Sequence, residues 1–291
     1  MALPLDFWKT FNAERIAVRD LRLNVVHGGQ GPPVLLVPGW PQTWYAWRHV
    51  MTLLASRRSV IAVEPRGMGD SDKPSDGYDL ATVARDLVSL PGALGNRGSF
   101  DLVGHDIGAW IAHAMAADFP THIAHVALID SMIPGVSPSP SAIEPAAINN
   151  RVWHFGFNRL GAELNEALVS GNEDLFFSWQ FRTKAAHPNA ISDDDIAIYV
   201  KAYSTPDALR AGFDYYRAIE TNVAQNARRM KTKLAMPVLL VAGEKGVGQA
   251  MIGGLTGIGA NVTSQILPGV GHYVPDEAPQ ALVDCLSRFL I

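Results

Sequence analysis

The clearest structural signal in the chain is a strand–turn–helix stretch, residues 100–119, which reads FDLVGHDIGAWIAHAMAADF. An apolar run, Phe100–Val103, predicts a strand, and Ile107–Phe119 predicts a helix. Between them, Gly104-His105-Asp106-Ile107-Gly108 places a glycine two residues before and two residues after one central side chain. Such glycines permit the tight, strained turn that raises the central side chain above a sheet. This pattern favours Asp106 as a nucleophile; an Asp that only caps the helix is the alternative.

Short apolar runs alternate with longer helical patterns on both sides of this stretch. The runs that predict strands are Leu21–Val26, Val34–Val37, Val60–Val63, Asp101–Val103, Val126–Ile129, Val238–Ala242 and Thr263–Leu267. The patterns that predict helices are Trp44–Ala55, Leu80–Leu94, Ile107–Phe119 and Glu277–Leu290. Strands that are apolar throughout, such as Val34–Val37, are typical of a parallel sheet covered by helices on both faces. The alternation therefore predicts an α/β fold with a doubly wound, mostly parallel sheet.

The alternation stops between residues 133 and 234, which predicts a helical insertion. The segment opens with the Pro/Ser-rich link GVSPSPS (residues 135–141). Ser192 with Asp195 three residues later is a capping-box pattern, and Thr205-Pro206 starts another helix. An insertion between two strands of one sheet would cover the carboxyl ends of the strands, where open α/β sheets bind ligands. We therefore predict a core of residues 1–132 and 235–291 and a helical cap of residues 133–234.

Composition excludes several classes of protein. The chain has 291 residues, of which 48% are hydrophobic and 18% charged, and its formal net charge is −4. This composition excludes intrinsic disorder, and the lack of a basic run argues against nucleic acid or an anionic membrane as a partner. The single cysteine, Cys285, excludes a disulfide framework and a Cys-based zinc site and is predicted to be buried. The N-terminal residues lack a signal-peptide pattern and no run reaches the ~18 apolar residues of a membrane span, so we expect a cytoplasmic protein.

An aspartate in this turn changes the chemistry that the fold can perform. A serine must lose its proton to attack, whereas a carboxylate with an ordinary pKa of ~3.9 is already ionised at pH 7. A carboxylate is suited to displacement at a saturated carbon that bears a leaving group. The product is an ester of Asp106, which water must then cleave with the help of a base. This chemistry argues against a peptidase, a lipase or a simple esterase.

The sequence offers one well-placed base and two acids that could orient it. His272 follows the last predicted strand in Leu267-Pro268-Gly269-Val270-Gly271-His272, so the glycines of the loop can place it at the strand ends. A catalytic histidine needs a carboxylate to hold its tautomer and its orientation. Asp130 ends the strand Val126–Ile129, and Glu244 follows the strand Val238–Ala242. Asp130 is preferred because the shorter acid needs least adjustment, and Glu244 is the alternative.

Together these motifs resemble the α/β-hydrolase superfamily and, within it, the epoxide hydrolases. The similar pieces also include Val37-Pro38-Gly39-Trp40-Pro41, Glu64-Pro65-Arg66-Gly67-Met68-Gly69-Asp70-Ser71 and Tyr216-Arg217, so the resemblance covers nearly the whole chain. It implies the α/β-hydrolase fold with an inserted helical cap, no cofactor and no metal, and a homodimer. It also implies that the backbone N–H groups of Trp40 and Ile107 form the oxyanion hole. The family usually has His where this chain has Pro38, a side-chain change that leaves the backbone donors in place.

The same resemblance implies how the oxygen of an epoxide is met. Ring opening generates an alkoxide, a poor leaving group that needs an acid or a hydrogen-bond donor. The Tyr-Arg pattern implies Tyr216 in this role, with the adjacent Tyr215 as the alternative. One branch of the family carries a His-Tyr pair in place of two tyrosines, and Val152-Trp153-His154-Phe155 resembles that branch, which implies His154 as the second donor. The same branch has its triad acid at the position of Asp130.

Two other functions suit the same fold. Haloalkane dehalogenases usually have Trp directly after the nucleophile, and haloacetate dehalogenases have Arg one and four residues after it; here these positions are Ile107 and Trp110. An apolar lining cannot offset the free-energy cost of desolvating the carboxylate of a substrate such as a haloacetate. We therefore predict a small neutral organic epoxide as substrate. Trp110, Trp153 and Phe155 are the predicted substrate-binding residues. A haloacetate or haloalkane dehalogenase is the alternative enzyme, and a non-catalytic small-molecule binding protein is the alternative of another class.

Overall fold

One sheet organises the part of the chain that the structure describes, which in this computed structural model is residue 3 and residues 6–139, 141, 143–161 and 163–290. Its strands are β1 (Phe11–Val18), β2 (Leu21–Gly28), β3 (Pro33–Val37), β4 (Ser59–Val63), β5 (Phe100–His105), β6 (Ile123–Ile129), β7 (Val238–Gly243) and β8 (Val262–Leu267). Within the described residues the sheet has the order β1-β2-β4-β3-β5-β6-β7-β8. Neighbours from β4 to β8 are parallel, and β2 pairs antiparallel with both β1 and β4. The prediction of a mostly parallel α/β sheet is confirmed.

Each apolar run that predicts a strand lies inside a strand of this sheet, but β1 was not predicted. Only the two ends of β1, Phe11 and Val18, are buried, and the residues between them are exposed or half-buried. Because β1 lies at the edge of the sheet and pairs only with β2, its middle residues face solvent and can be polar. The alternation of apolar and polar residues that reveals a half-buried strand is therefore missing.

Helices cover both faces of the sheet and fill the chain between β6 and β7. They are α1 (Phe7–Thr10), α2 (Arg48–Leu54), α3 (Leu80–Leu87), α4 (Leu90–Ala93), α5 (Ile107–Asp118), α6 (Ala146–Phe157), α7 (Leu164–Val169), α8 (Glu173–Lys184), α9 (Asp193–Ala202), α10 (Pro206–Arg217), α11 (Ile219–Arg229), α12 (Gln249–Leu255), α13 (Val274–Glu277) and α14 (Pro279–Phe289), with 3-10 turns at Trp44–Trp47 and Pro120–His122. The predicted helix Leu80–Leu94 is divided, because Pro91 cannot donate a backbone hydrogen bond and α3 and α4 are separate. The predicted helix Glu277–Leu290 begins two residues later, as α14, because Pro279 disfavours helical geometry at Ala278, and Glu277 ends α13.

The alternating side chains of the strands build one apolar cluster on each face of the sheet. In β3, Leu35 and Val37 belong to one cluster, and Val34 and Leu36 belong to the other. Cys285 of α14 packs in the second cluster and is 6% exposed, which confirms that it is buried. The two-sided burial explains why the parallel strands are apolar throughout.

The described residues between β6 and β7 form helices α6 to α11, a segment that we call the helical insertion (residues 133–234). Both helix starts predicted here are present: Ser192 Oγ accepts from the Asp195 N–H at 3.2 Å, and Thr205 Oγ1 accepts from the Ala208 N–H at 3.3 Å, with Pro206 as the first residue of α10. Pro140, in the predicted Pro/Ser-rich link, lies outside the described residues. The exact domain boundaries stay a prediction. Among the described helices, none is both long and apolar enough to cross a membrane.

Candidate active site

The turn after β5 holds Asp106 in a backbone conformation that few L-residues adopt. Its φ is +54° and its ψ is −121°, and α5 begins at the next residue. The flanking glycines are required by close packing. A Cβ on Gly104 would lie 2.1 Å from the carbonyl oxygen of Gly108, and a Cβ on Gly108 would lie 2.2 Å from the carbonyl oxygen of Val37. The turn thus presents the Asp106 side chain at the carboxyl end of β5, between the ends of β3 and β6.

Both carboxylate oxygens of Asp106 have partners. The Trp40 backbone N–H donates to Oδ1 at 3.0 Å, and Nε2 of His272 lies 3.3 Å from Oδ2. Burial alone would raise the pKa of the Asp106 carboxyl, but the hydrogen bond and the charge of His272 hold this pKa well below its usual value. Ile107 is the first residue of α5, so its N–H has no acceptor inside the helix. An ionised carboxylate therefore lies beside backbone donors of the kind that an oxyanion needs.

His272 is held in place through its side chain and its backbone. Its Nδ1 lies 2.7 Å from Oδ2 of Asp130, its N–H donates to the carbonyl oxygen of Lys184 at 3.0 Å, and its carbonyl oxygen accepts from Nε2 of His105 at 2.8 Å. Burial lowers the pKa of His105 to about 4, so this ring is a neutral donor. Burial would also lower the pKa of His272, but its hydrogen bonds to Asp106 and Asp130 raise this pKa above the usual value.

Asp130 is the acid that contacts His272, and Glu244 is not. Asp130 follows β6 directly with φ +41°, and its Oδ1 also accepts from the backbone N–H groups of Gly243 at 2.8 Å and Val247 at 3.0 Å. These donors come from the last residue of β7 and from the turn after it, so two adjacent strand ends fix one carboxylate. Glu244 is exposed and accepts from a backbone N–H of the loop before His272 at 2.8 Å.

The two adjacent tyrosines of α10 lie in different surroundings. The ring centroid of Tyr216 is 5.2 Å from that of Trp40, whose backbone N–H contacts Asp106, and 5.6 Å from that of His154. The hydroxyl of Tyr215 instead donates to the carbonyl oxygen of Arg66 at 2.9 Å. Burial, together with the charge of Asp106, raises the pKa of Tyr216 well above its usual value. The Tyr216 hydroxyl therefore keeps its proton and can donate a hydrogen bond.

Lys184 is the residue of this site that the sequence analysis missed. It ends α8, is 5% exposed, and places Nζ 3.2 Å from Nε2 of His154 and 3.3 Å from Oε1 of Gln180. Burial lowers the pKa of Lys184 to about 8, and burial with the charge of Lys184 lowers the pKa of His154 well below its usual value. A signal was present, because Phe177, Gln180, Phe181 and Lys184 follow the spacing of one buried helix face.

Two of the three predicted substrate-binding aromatics line this site. The ring centroid of Trp110 is 6.1 Å from that of Phe155 and 6.0 Å from that of Tyr216, and its Nε1 donates to the Met132 carbonyl oxygen at 2.7 Å. Trp153 lies elsewhere: it lines an outer groove of about 540 Å³ on the helical insertion. Successive residues of a helix point about 100° apart, so a helix that buries His154 turns Trp153 toward a different side. The structure therefore does not bring Trp153 to Asp106.

The acidic groups near the site have protein partners and do not form a metal site. Within the described residues, no group of three or more His, Cys, Asp or Glu side chains is placed to hold a metal ion. The buried acid Glu64 accepts from Nδ2 of Asn24 at 2.9 Å and from the Asp70 N–H at 2.7 Å, and burial raises its pKa to about 7. Glu64 thus fastens the turn that follows β4.

Comparisons with known proteins find similarity over nearly the whole chain. Residues 32–279 match the sequence model of a family described as alpha/beta hydrolase fold. A soluble epoxide hydrolase from Corynebacterium sp. (strain C12) is 32% identical over 94% of both chains, and a fluoroacetate dehalogenase from Burkholderia sp. is 28% identical over 96% of this chain and 94% of the relative. The crystal structure of Cfl2 from Burkholderia cenocepacia superposes with a TM-score of 0.92 at 40% identity, covering 97% of this chain and 96% of that one.

Proposed function

Since the chain belongs to the epoxide hydrolase family of the α/β-hydrolase superfamily, we propose that it converts an epoxide into a vicinal diol through an ester on Asp106. The observation that carries the proposal is the environment of the Asp106 carboxylate. One of its oxygens accepts from the Trp40 N–H, and the other faces a histidine that is held by a second acid, Asp130. This arrangement suits a carboxylate nucleophile whose ester is later hydrolysed.

In the first half-reaction, Oδ2 of Asp106 attacks a ring carbon of the epoxide. The C–O bond of the ring breaks, and the electron pair stays on the released oxygen. Tyr216, which packs against Trp40 and His154, donates a hydrogen bond to this oxygen as its charge develops. The resemblance implies His154 as a second donor to the same oxygen. Nε2 of His154, however, already accepts a hydrogen bond from Nζ of Lys184.

In the second half-reaction, water adds to the carboxyl carbon of the ester. His272 takes a proton from this water through Nε2, and Asp130 stabilises the imidazolium through Nδ1. The Trp40 and Ile107 N–H groups receive the oxyanion on the Asp106 carboxyl carbon. Loss of the alcohol then restores the Asp106 carboxylate. No cofactor is needed in either step.

The lining of the site supports a neutral substrate. Ile107 and Trp110 occupy the two positions where haloacetate dehalogenases have arginines, and both are buried. A dehalogenase is the second candidate function because the similarity to the fluoroacetate dehalogenase spans 96% of this chain. A halide would then leave in place of the ring oxygen. A cytoplasmic location and a homodimer are proposals from the sequence and the resemblance.

The experiment that tests the function traps the ester. In His272→Ala, alkylation of Asp106 should still occur while hydrolysis stops, because only the second half-reaction needs the base. We expect the intact mass after brief exposure to styrene oxide to rise by the mass of one epoxide, and peptide mapping should locate the adduct on Asp106. The double variant Asp106→Ala/His272→Ala is the matched control and should gain no mass.

Parallel exposure to chloroacetate separates the candidate functions. A carboxymethyl adduct on Asp106 with chloroacetate alone would make the protein a dehalogenase and would contradict the neutral-substrate argument from Ile107 and Trp110. An adduct with neither compound would count against both enzymes and favour a non-catalytic binding protein. An epoxide adduct that persists in the double variant would show that Asp106 is not the nucleophile.

A further inference from the structure

Lys184 contacts His154, and its charge acts on the proposed nucleophile Asp106, yet the reaction described above gives its ammonium no task. Lys184 is 5% exposed, and its backbone carbonyl oxygen accepts a hydrogen bond from the N–H of His272. Nζ donates to Nε2 of His154 and to Oε1 of Gln180. An ammonium has three donors, so one donor remains after these two contacts.

The surroundings of Lys184 leave its charge without a close counter-ion. Among the residues that the structure describes, no carboxylate oxygen forms an ion pair with Nζ within 4.0 Å. Arg151 and His154 face it from α6, and Asp106 faces it from the turn after β5. Burying an ammonium without an ion pair is costly, so such a group is a candidate for function rather than for stability.

The contact with Lys184 also changes what His154 can do. Since the ammonium has only donors, Nε2 of His154 must accept, and the ring carries its proton on Nδ1. Burial and the charge of Lys184 keep the pKa of His154 well below its usual value, so the ring is neutral. Nε2 of His154 is therefore not a donor toward the ring oxygen. Instead, His154 positions the Lys184 ammonium, from which Nε2 accepts a hydrogen bond.

Ring opening needs an acid that is protonated yet gives up its proton near neutral pH. The buried Tyr216 hydroxyl has a pKa well above its usual value, so it donates a hydrogen bond but parts with its proton reluctantly. Burial and Arg151 lower the pKa of Lys184 to about 8 against the opposing pull of Asp106. Of the two groups, the ammonium is the better proton donor at pH 7 to 8.

We propose that the Lys184 ammonium, held by His154 and Gln180, protonates the oxygen that leaves when Asp106 opens the ring, while Tyr216 hydrogen-bonds to the same oxygen. This proposal rests on the proposed epoxide hydrolase function. As the ring C–O bond breaks, its electron pair takes a proton from Nζ, which leaves a neutral amine and a 2-hydroxyalkyl ester. Ester hydrolysis then leaves one proton on His272. That proton passes to solvent, the amine takes one proton from solvent, and the cycle closes without net consumption of protons.

The charge of the site supports this assignment. Two carboxylates, Asp106 and Asp130, contact His272, and the ammonium of Lys184 lies in the same buried site. A substrate that carries its own negative charge would have to be desolvated beside the Asp106 carboxylate. A neutral epoxide avoids this cost, and the alkoxide that it generates is neutralised by the proton from Nζ.

The test measures alkylation alone, in the His272→Ala background, by intact mass with styrene oxide between pH 6 and pH 10. With Lys184 present, the rate should be level to about pH 8 and then fall about tenfold per pH unit, as the ammonium loses its proton. Lys184→Met should slow alkylation by about 100-fold at pH 7 and abolish this fall. Lys184→Arg should be slower than native but should also lack the fall, because a guanidinium stays protonated over this range.

Lys201→Met, at an exposed position of α9, is the matched control and should leave the rate and its pH profile unchanged. Alkylation by Lys184→Met within twofold of the parent rate, or with the same alkaline fall, would overturn the role of Lys184 and leave the proposed function intact. Lack of any adduct in His272→Ala itself would overturn both. If Lys184→Met does not fold, the pH profile of alkylation in His272→Ala with Lys184 in place tests the proposal. A rate that stays level to pH 10 contradicts it.

Discussion

Tyr215 and Tyr216 are neighbours in the chain, yet only one of them can reach the leaving oxygen. Tyr216 packs against Trp40 and His154, whereas the Tyr215 hydroxyl is committed to the Arg66 carbonyl oxygen. The sequence leaves both tyrosines as alternatives, because it does not show which of two adjacent helical residues faces the site. The structure shows which one does, and it makes Tyr215 a matched control for Tyr216.

We expect Tyr216→Phe to slow alkylation about 10- to 100-fold, since a hydrogen bond to a developing negative charge is lost. Ester hydrolysis should change much less, because Tyr216 has no role in that step. Single-turnover measurements of both steps with one epoxide will separate the two rates. Tyr215→Phe should leave both within about twofold and lower the free energy of unfolding by about 1 kcal/mol. Equal slowing of both steps in Tyr216→Phe would contradict its role as a donor.

Local motifs reveal some site residues and leave others hidden. Asp106 and His272 could be named from the sequence because each stands in a glycine-containing turn between a strand and a helix. Lys184 stands in no motif, and its place in the site follows from how α8 packs against the loop of His272. Trp153 was expected in the site on its aromatic character, but it lies in the outer groove. Aromatic character alone does not say which side of a helix a ring faces.

At the scale of elements, the question is which strand end supplies the acid for His272. Asp130 follows β6 directly, and its carboxylate is fixed by the N–H groups of Gly243, the last residue of β7, and of Val247 in the turn after β7. Glu244 also follows β7, but its side chain turns outward to the loop before His272. Strand order alone permits both acids, because β6 and β7 are adjacent and parallel. The turn geometry selects Asp130.

Asp130→Asn should slow ester hydrolysis by about 10³- to 10⁴-fold, because an amide can hold the His272 ring in the wrong tautomer and does not stabilise the imidazolium. Alkylation should be less affected, so the ester should accumulate. Intact mass during turnover of an epoxide will show whether it does. In the same assay, Glu244→Gln keeps an oxygen for its backbone contact and should behave as the native enzyme. A large loss in Glu244→Gln with a normal Asp130→Asn would reverse the assignment.

The sequence predicts the central elements well and the peripheral ones poorly, for a physical reason. Parallel strands such as β3 and β7 are buried on both faces, so their apolar runs are unmistakable. Strand β1 is an exposed edge, and its polar residues give no such signal. The break between α3 and α4 depends on Pro91, whose effect on a helical pattern is local.

At the scale of the whole molecule, a buried polar network joins the helical insertion to the sheet domain. Arg48 of α2 forms ion pairs with Asp276 of α13 and with Asp195 of α9, the latter at 3.1 Å. Tyr199 of α9 donates to Asp276 at 2.8 Å, and Gln42, two residues after Trp40, donates to it at 2.7 Å. The network therefore links α9 of the insertion to α2, to α13 and to the loop that holds Trp40 and Gln42.

Arg48→Met should lower the free energy of unfolding by about 3–5 kcal/mol, because it leaves two buried carboxylates without their guanidinium. Urea unfolding followed by fluorescence will measure this loss. Arg182→Met is the matched control, since it removes an exposed ion pair between Arg182 and Asp193 on the surface of the insertion. That pair should contribute less than about 1 kcal/mol. If Arg48→Met is no more destabilising than Arg182→Met, the insertion is held to the sheet domain by apolar packing, and the buried network only sets its orientation.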